Sequence, residues 1–90
     1  MLIKEYELVQ NYPNPFNPST VIRYQLPKAG NVKLIVYDIL GREVAKLIDE
    51  FQNDGRYEVK FDASNLSSGV YIYRLEANDF VDSKKMLLVK

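Results

Sequence analysis

The side chains that most often perform chemistry in proteins are missing from this sequence. Its 90 residues include no histidine and no cysteine. This excludes imidazole acid–base catalysis, thiolate nucleophiles, disulfide bonds and the usual zinc sites. Carboxylates, lysines and hydroxyls remain, but no carboxylate pair stands out by its spacing, and a chain this short has little room for a cleft. We therefore predict that the protein is not an enzyme and uses no cofactor or small-molecule substrate.

The remaining candidates for a metal site are the aspartates at predicted turns, which are Asp38, Asp54, Asp62 and Asp79. Their carboxylates would suit calcium. Aspartate is also common at turns because its side chain accepts hydrogen bonds from the local backbone, and this interpretation needs no ion. We therefore predict no metal site.

The charges of the chain balance, with 12 basic and 12 acidic residues. A neutral chain has no long-range attraction for phosphate, and the basic residues are scattered except for Lys84-Lys85, so nucleic-acid binding is not expected. No apolar run approaches the ~18 residues of a membrane span, so no transmembrane segment is expected. Residues 1–5 are too short and too charged for a signal peptide.

Short stretches of alternating apolar and polar residues dominate the chain. Residues 20–26 (TVIRYQL) and 56–62 (RYEVKFD) each place their apolar side chains on one side, which is typical of a half-buried strand. Residues 31–38, 69–77 and 80–90 are also strand-like, and turn signals such as Asp38-Ile39-Leu40-Gly41 separate the stretches. Such spacing predicts an all-β fold, an antiparallel β-sandwich.

Residues 42–51 fit two interpretations. Their apolar residues Val44, Leu47, Ile48 and Phe51 have helical spacing, whereas in a strand Val44 and Ile48 would share one face. Periodicity alone does not decide between helix and strand in so short a segment.

Residues 11–19 are rich in proline and asparagine. Each proline fixes its own φ angle and pushes the preceding residue towards an extended conformation, so the chain here is rigid before folding. Phe16 lies between two rigid pieces, and we expect its ring to close one end of the sandwich. The side chains of Asn14 and Asn17 can bond to the backbone, and Asn17-Pro18-Ser19-Thr20 fits a type I turn.

These features predict a single domain over residues 1–90. Residues 1–10 would form a lead-in with the first strand, residues 11–19 the proline- and asparagine-rich motif, and residues 20–90 the body of the sandwich.

Several blocks of the sequence resemble, in the same order, the C-terminal sorting domains of the type IX secretion system of Bacteroidetes and related phyla. These blocks are YPNPFNPST, IRYQLP, VYDILGREV, FDASNLSSGVYIYRLEA and KKMLLVK, and the resemblance extends from about residue 8 to residue 90. The blocks resemble, more weakly, the immunoglobulin-like domain of the flagellar hook-capping protein. Both families imply an immunoglobulin-like antiparallel β-sandwich of about seven strands, which favours a strand for residues 42–49.

The resemblance implies a non-catalytic C-terminal sorting and attachment module. Such a module directs a cargo protein, fused on its N-terminal side, through the periplasm and across the outer membrane to the cell surface or the extracellular space. Its implied partners are the type IX translocon and a sortase, although the cleavage of this chain stays open. The residues that match the motif blocks, and are therefore candidates for recognition, are Pro13, Asn14, Pro15, Phe16, Asn17, Pro18, Gly41, Arg42, Lys84 and Lys85.

Each candidate also has a structural interpretation. Gly41-Arg42 fits a hairpin turn with a solvated charge, and Lys84-Lys85 fits an edge strand protected against aggregation. Tyr71 and Tyr73 share a strand face and could stack on sugars, although a core position suits them better. A carbohydrate-binding or adhesive accessory module of an extracellular hydrolase, and a hook-cap-type assembly domain, therefore remain alternative functions.

Overall fold

A computed structural model describes residues 2–90 as two β-sheets. The strands in chain order are β1 (Glu7–Leu8), β2 (Ser19–Leu26), β3 (Gly30–Asp38), β4 (Glu43–Gln52), β5 (Gly55–Asp62), β6 (Gly69–Ala77) and β7 (Phe80–Leu88). One sheet has the strand order β1-β2-β5 and the other has β4-β3-β6-β7. All neighbouring strands are antiparallel. The predicted antiparallel β-sandwich of about seven strands is confirmed.

The core lies between the sheets and is filled by apolar side chains that alternate along the strands. In β2 these are Ile22, Tyr24 and Leu26, each at most 1% exposed, as the period-two pattern predicts. In β6, Tyr73 and Leu75 are fully enclosed. Burial of one large apolar side chain contributes roughly 1.5–3 kcal/mol, so these positions account for much of the stability of a short chain.

The segment 42–51, which fitted both a helix and a strand, is a strand from residue 43 onwards, since β4 spans Glu43–Gln52. The register of β4 against β3 shifts twice, and each shift leaves an extra residue, Leu47 and then Val44, without a partner in β3. An extra residue breaks the alternation of faces along a strand. Half-buried apolar residues therefore recur three positions apart, and this spacing imitates one side of a helix.

Residues 9–18, here called the crossing segment, connect the two sheets. Tyr12 forms an antiparallel bridge with Val21 of β2, and Phe16 forms a parallel bridge with Leu88 of β7. The Phe16 side chain is 2% exposed, and its ring centroid lies 6.2 Å from that of Phe61. The predicted burial of Phe16 is therefore confirmed.

The predicted type I turn at residues 17–20 is wrong. Strand β2 already begins at Ser19, so Ser19 and Thr20 are extended. The carbonyl of Pro18 accepts a hydrogen bond from the N–H of Ala63 at 2.8 Å, so this part of the motif bonds to a segment that is distant in sequence.

Replacing Phe16 with alanine is expected to lower the free energy of unfolding by about 3–5 kcal/mol, because it removes a buried ring and leaves a cavity. Tyr12→Ala is the matched control, since Tyr12 belongs to the same segment but is 73% exposed. We expect the control to change the free energy by less than about 0.5 kcal/mol. Urea denaturation followed by circular dichroism measures both variants, and equal losses would contradict a core position for Phe16.

Candidate functional site

A buried polar network holds the beginning of the crossing segment. The backbone N–H of Asn11 donates to the hydroxyl of Tyr73 at 2.8 Å, and this hydroxyl donates to the carbonyl of Val9 at 2.7 Å. The side-chain amide of Asn11 donates to Thr20 Oγ1 at 3.0 Å, and Thr20 donates to the carbonyl of Pro13 at 2.8 Å. Asn11 and Thr20 are 2% and 1% exposed. The crossing segment is thus tied to β2 and β6 through the interior.

Sequence reasoning missed this network. It assigned Tyr73 to the core because of its ring and gave no role to the hydroxyl. A usable signal was present at Thr20, which has the same parity along β2 as Ile22 and Tyr24. Alternation therefore directs its hydroxyl into the core, where a polar group needs a hydrogen-bond partner.

Burial raises the pKa of Tyr73 to about 12 from an ordinary value of 10.0, against the opposing effect of the hydrogen bond from the N–H of Asn11. Burial also raises the pKa of Tyr24 to about 12, although its hydrogen bond with Gln52 acts in the opposite direction. A phenol whose pKa is higher in the folded state is more easily ionised in the unfolded state. It therefore contributes to the free energy of unfolding as long as it stays neutral in both states. Its contribution is complete below pH 10 and is lost as the pH rises through 12.

The crossing segment also covers part of the free edge of β7. The N–H of Phe16 donates to the carbonyl of Leu87, and the N–H of Val89 donates to the carbonyl of Phe16, both at 2.9 Å. The side-chain oxygen of Asn14 accepts a bond from the N–H of Leu87 at 3.0 Å. Asn14 therefore bonds to the backbone as predicted, but to a distant strand. These contacts satisfy edge groups that would otherwise be available to another strand.

The candidate residues of the motif differ in their accessibility. Phe16 is buried, so a partner of the folded domain cannot contact its ring. The others are exposed or, for Pro18, half-buried, and they are Pro13, Asn14, Pro15, Asn17 and Pro18.

A rigid hairpin tip connects β3 and β4. Asp38 Oδ1 accepts bonds from the N–H groups of Leu40 and Arg42, both at 2.9 Å, and Arg42 Nε lies 2.7 Å from Asp38 Oδ2. The backbone bond from Arg42 is the largest cause of a lowered pKa at Asp38, which keeps this carboxylate charged. Gly41 has a φ angle of +83°, which confirms the predicted hairpin. Ile39 and Leu40 are 70% and 73% exposed at the tip.

The lysines of the last strand face in opposite directions. Lys84 is half-buried and shares its face with Met86, whereas Lys85 is exposed on the outer face. The carbonyl of Lys85 accepts a bond from Gln10 Nε2 at 2.7 Å. The two side chains therefore leave β7 on opposite faces of the sheet, although the two residues are adjacent in sequence.

The sheet register brings the hairpin tip and the motif to the same end of the sandwich. Asp38 pairs with Tyr71 of β6, Tyr71 pairs with Met86 of β7, and Leu88 pairs with Phe16. Neighbouring strands lie about 4.8 Å apart, and β6 lies between β3 and β7. The distance from β3 to β7 is therefore roughly 10 Å. The candidates Gly41 and Arg42 therefore share an end with Phe16, and the lysine pair lies a short distance further along β7.

Together these features define a small immunoglobulin-like β-sandwich that presents turns and strand edges. Within residues 2–90, no three histidine, cysteine, aspartate or glutamate side chains come together to hold a metal ion. In the same part of the chain, no helix has the length and apolar character needed to cross a membrane.

Comparison with known families assigns this sandwich to one of them. The family model described as "Secretion system C-terminal sorting domain" matches residues 10–90. The chain belongs to the family of secretion system C-terminal sorting domains. It is a sorting domain of type IX secretion, a role that is non-catalytic in general and implies export to the cell surface or the extracellular space.

A solved structure has a similar fold. The crystal structure of dimeric latent PorU from Porphyromonas gingivalis is similar over 97% of this chain with a TM-score of 0.69 and 24% identity. This chain spans 10% of that chain. The comparison with curated proteins gave no match.

Replacing Tyr73 with phenylalanine is expected to lower the free energy of unfolding at pH 7 by about 1–3 kcal/mol, because the N–H of Asn11 would lose its partner in the interior. The variant should also lose less stability than the parent between pH 9 and pH 12, since one raised phenol pKa is removed. Denaturant midpoints measured over this pH range test both effects. Tyr12→Phe serves as a control at pH 7, and an identical alkaline profile for Tyr73→Phe would contradict the assignment.

Proposed function

We propose that the type IX translocon recognises this domain in its folded state, at the end of the sandwich where the hairpin tip, the crossing segment and the last strand meet. The domain would be fused behind an N-terminal cargo and would pass through the periplasm with it. The observation that carries the proposal is the family match over residues 10–90. The catalytic activity of the whole protein, if it has one, would belong to the cargo.

The hairpin tip is the proposed primary contact. Its exposed pair Ile39-Leu40 offers apolar surface, and the adjacent guanidinium of Arg42 offers a charged donor. Apolar side chains that fill a partner pocket, together with arginine, often dominate binding energy. The bonds from Asp38 to the tip backbone fix its shape, so little conformational entropy would be lost on binding.

The proline- and asparagine-rich motif would act mainly by positioning. Phe16 is buried and Asn14 is bonded to Leu87, so both support the recognised end from within. The exposed side chains of Pro13, Pro15 and Asn17 are the ones that a partner could contact.

For the lysine pair, we propose that the exposed Lys85 contacts the translocon and that Lys84 does not. This division follows from their opposite faces on β7. Lys84 would instead discourage pairing of other strands with the part of the β7 edge that the crossing segment leaves open.

The alternative of a carbohydrate-binding module lacks its suggested platform. Tyr71 and Tyr73 are 7% and 0% exposed, which confirms their interpretation as core residues. Their rings are therefore not available to stack on a sugar.

Replacing Ile39 and Leu40 together with serine is expected to lower export on the order of tenfold. The loss of two well-packed apolar contacts should weaken binding to the translocon by about tenfold or more. The assay fuses residues 1–90 to the C-terminus of a reporter in a type IX-competent host and measures the exported fraction. Val81→Ser is the matched control, since Val81 is an apolar residue that is 52% exposed at the opposite end of β7. Unchanged export of a folded tip variant would contradict recognition through the hairpin.

Replacing Lys85 with alanine is expected to lower export in the same assay, whereas Lys84→Ala should leave it near the parent level. The difference follows from the exposure of Lys85 and the half-buried position of Lys84. Circular dichroism of both variants excludes unfolding as the cause. An equal loss of export for the two variants would show that the face of the side chain does not matter.

A further inference from the structure

Strand β5 leaves a regular backbone edge at the side of the smaller sheet. It pairs with β2 over Gly55–Asp62 without a register shift, and it is the last strand in the order β1-β2-β5. The other edges in residues 2–90 are less available. The crossing segment covers part of β7, β4 carries two register shifts, and β1 has only two residues.

The backbone groups that face outward from β5 can be assigned. Val21 of β2 exchanges both of its backbone bonds with Tyr12, on the side away from β5. Its partner Lys60 is therefore in a non-hydrogen-bonded pair with β2, and the N–H and C=O of Lys60 point to the free edge. By the period of two, the same holds for the other even-numbered residues of β5.

The side chains at these positions alternate in charge. Along the exposed face of β5, Arg56, Glu58, Lys60 and Asp62 have the signs plus, minus, plus, minus. When the strand is read backwards from Val59, every sign is inverted. Two antiparallel copies centred on Val59 would therefore place Arg56 opposite Asp62 and Glu58 opposite Lys60 in both halves.

The centred register satisfies both the charges and the backbone, and it pairs all four of these charged residues with opposite charges. A shift by two residues would place Glu58 opposite Glu58 or Lys60 opposite Lys60, and like charges directly opposite one another are destabilising. In the centred register, the paired even-numbered residues are the ones whose backbone groups face outward, so they can exchange hydrogen bonds. Val59 would face its own copy in a non-hydrogen-bonded pair on the core side.

We propose that the outer edge of β5 is an interface for a second copy of this chain. The two copies would pair antiparallel about a two-fold axis at Val59 and would join their smaller sheets into one continuous sheet. The charge pattern is the argument for a second copy as the partner. Charges of any sign on an edge strand are enough to prevent pairing with other strands, so prevention alone does not require signs that invert about the centre of β5. The interface does not rest on the sorting function.

Sedimentation velocity of the 90-residue chain over a concentration series at low salt tests the proposal. We expect a monomer–dimer equilibrium, with a weak dimer because one strand pair buries less than a standard interface. Added salt should weaken the dimer, since its charge pairs are exposed. A chain that stays monomeric up to millimolar concentration would overturn the proposal.

Charge variants locate the interface. Lys60→Glu and Glu58→Lys should each weaken the dimer on the order of tenfold or more, because two opposite pairs become like pairs by symmetry. The double variant E58K/K60E should restore the dissociation constant to within about threefold, and an equimolar mixture of the two single variants should form a mixed dimer, since the opposite pairs are then rebuilt.

Lys33→Glu is the matched control, because Lys33 is an exposed strand lysine on the other sheet, and it should leave the dimer unchanged. Circular dichroism confirms that each variant is folded. A dimer that persists in both single variants, or a double variant that stays monomeric, would place the contact elsewhere and overturn the proposal. Export of the reporter is measured separately, so either hypothesis can fail alone.

Discussion

The docking of the crossing segment onto both sheets is the constraint on which the rest of the structure depends. Tyr12 pairs with β2 and Phe16 pairs with β7, so a single stretch of backbone connects the sheets. The prolines restrict the unfolded chain, and less conformational entropy is therefore lost when the segment docks. Release of the segment would expose Phe16, separate Asn11 from Tyr73 and open the edge of β7.

This docking divides the motif into parts with different functions. In sequence the block resembles a label to be recognised, yet several of its polar and aromatic groups are used inside the domain. In the proposed mode of recognition, the exposed contact surface is provided instead by the hairpin tip, whose position follows from β3 lying between β4 and β6. The surface proposed for recognition exists only in the folded sandwich, because the tip and the motif come together through the sheet register.

The strand edges of the sandwich differ in coverage, regularity and charge, and these differences decide what each edge can bind. Part of β7 is covered by backbone, and β4 is made irregular by its two extra residues. Strand β5 remains regular and carries alternating charge, so its availability depends on the charges of the approaching strand. A small sandwich can therefore keep most partners away from its edges and still admit one that is complementary.

The sequence by itself determined the features that depend on near neighbours. Alternation located β2 and β5, the Asp38–Gly41 pattern located a hairpin, and the rigid flanks of Phe16 indicated its burial. Only the tertiary structure decided the two bulges of β4, because they are defined against β3. It also decided the partners of Asn11, one of which lies 62 positions away. Side-chain periodicity and turn chemistry act over a few residues, whereas a buried polar group is satisfied by whichever residue the fold brings to it.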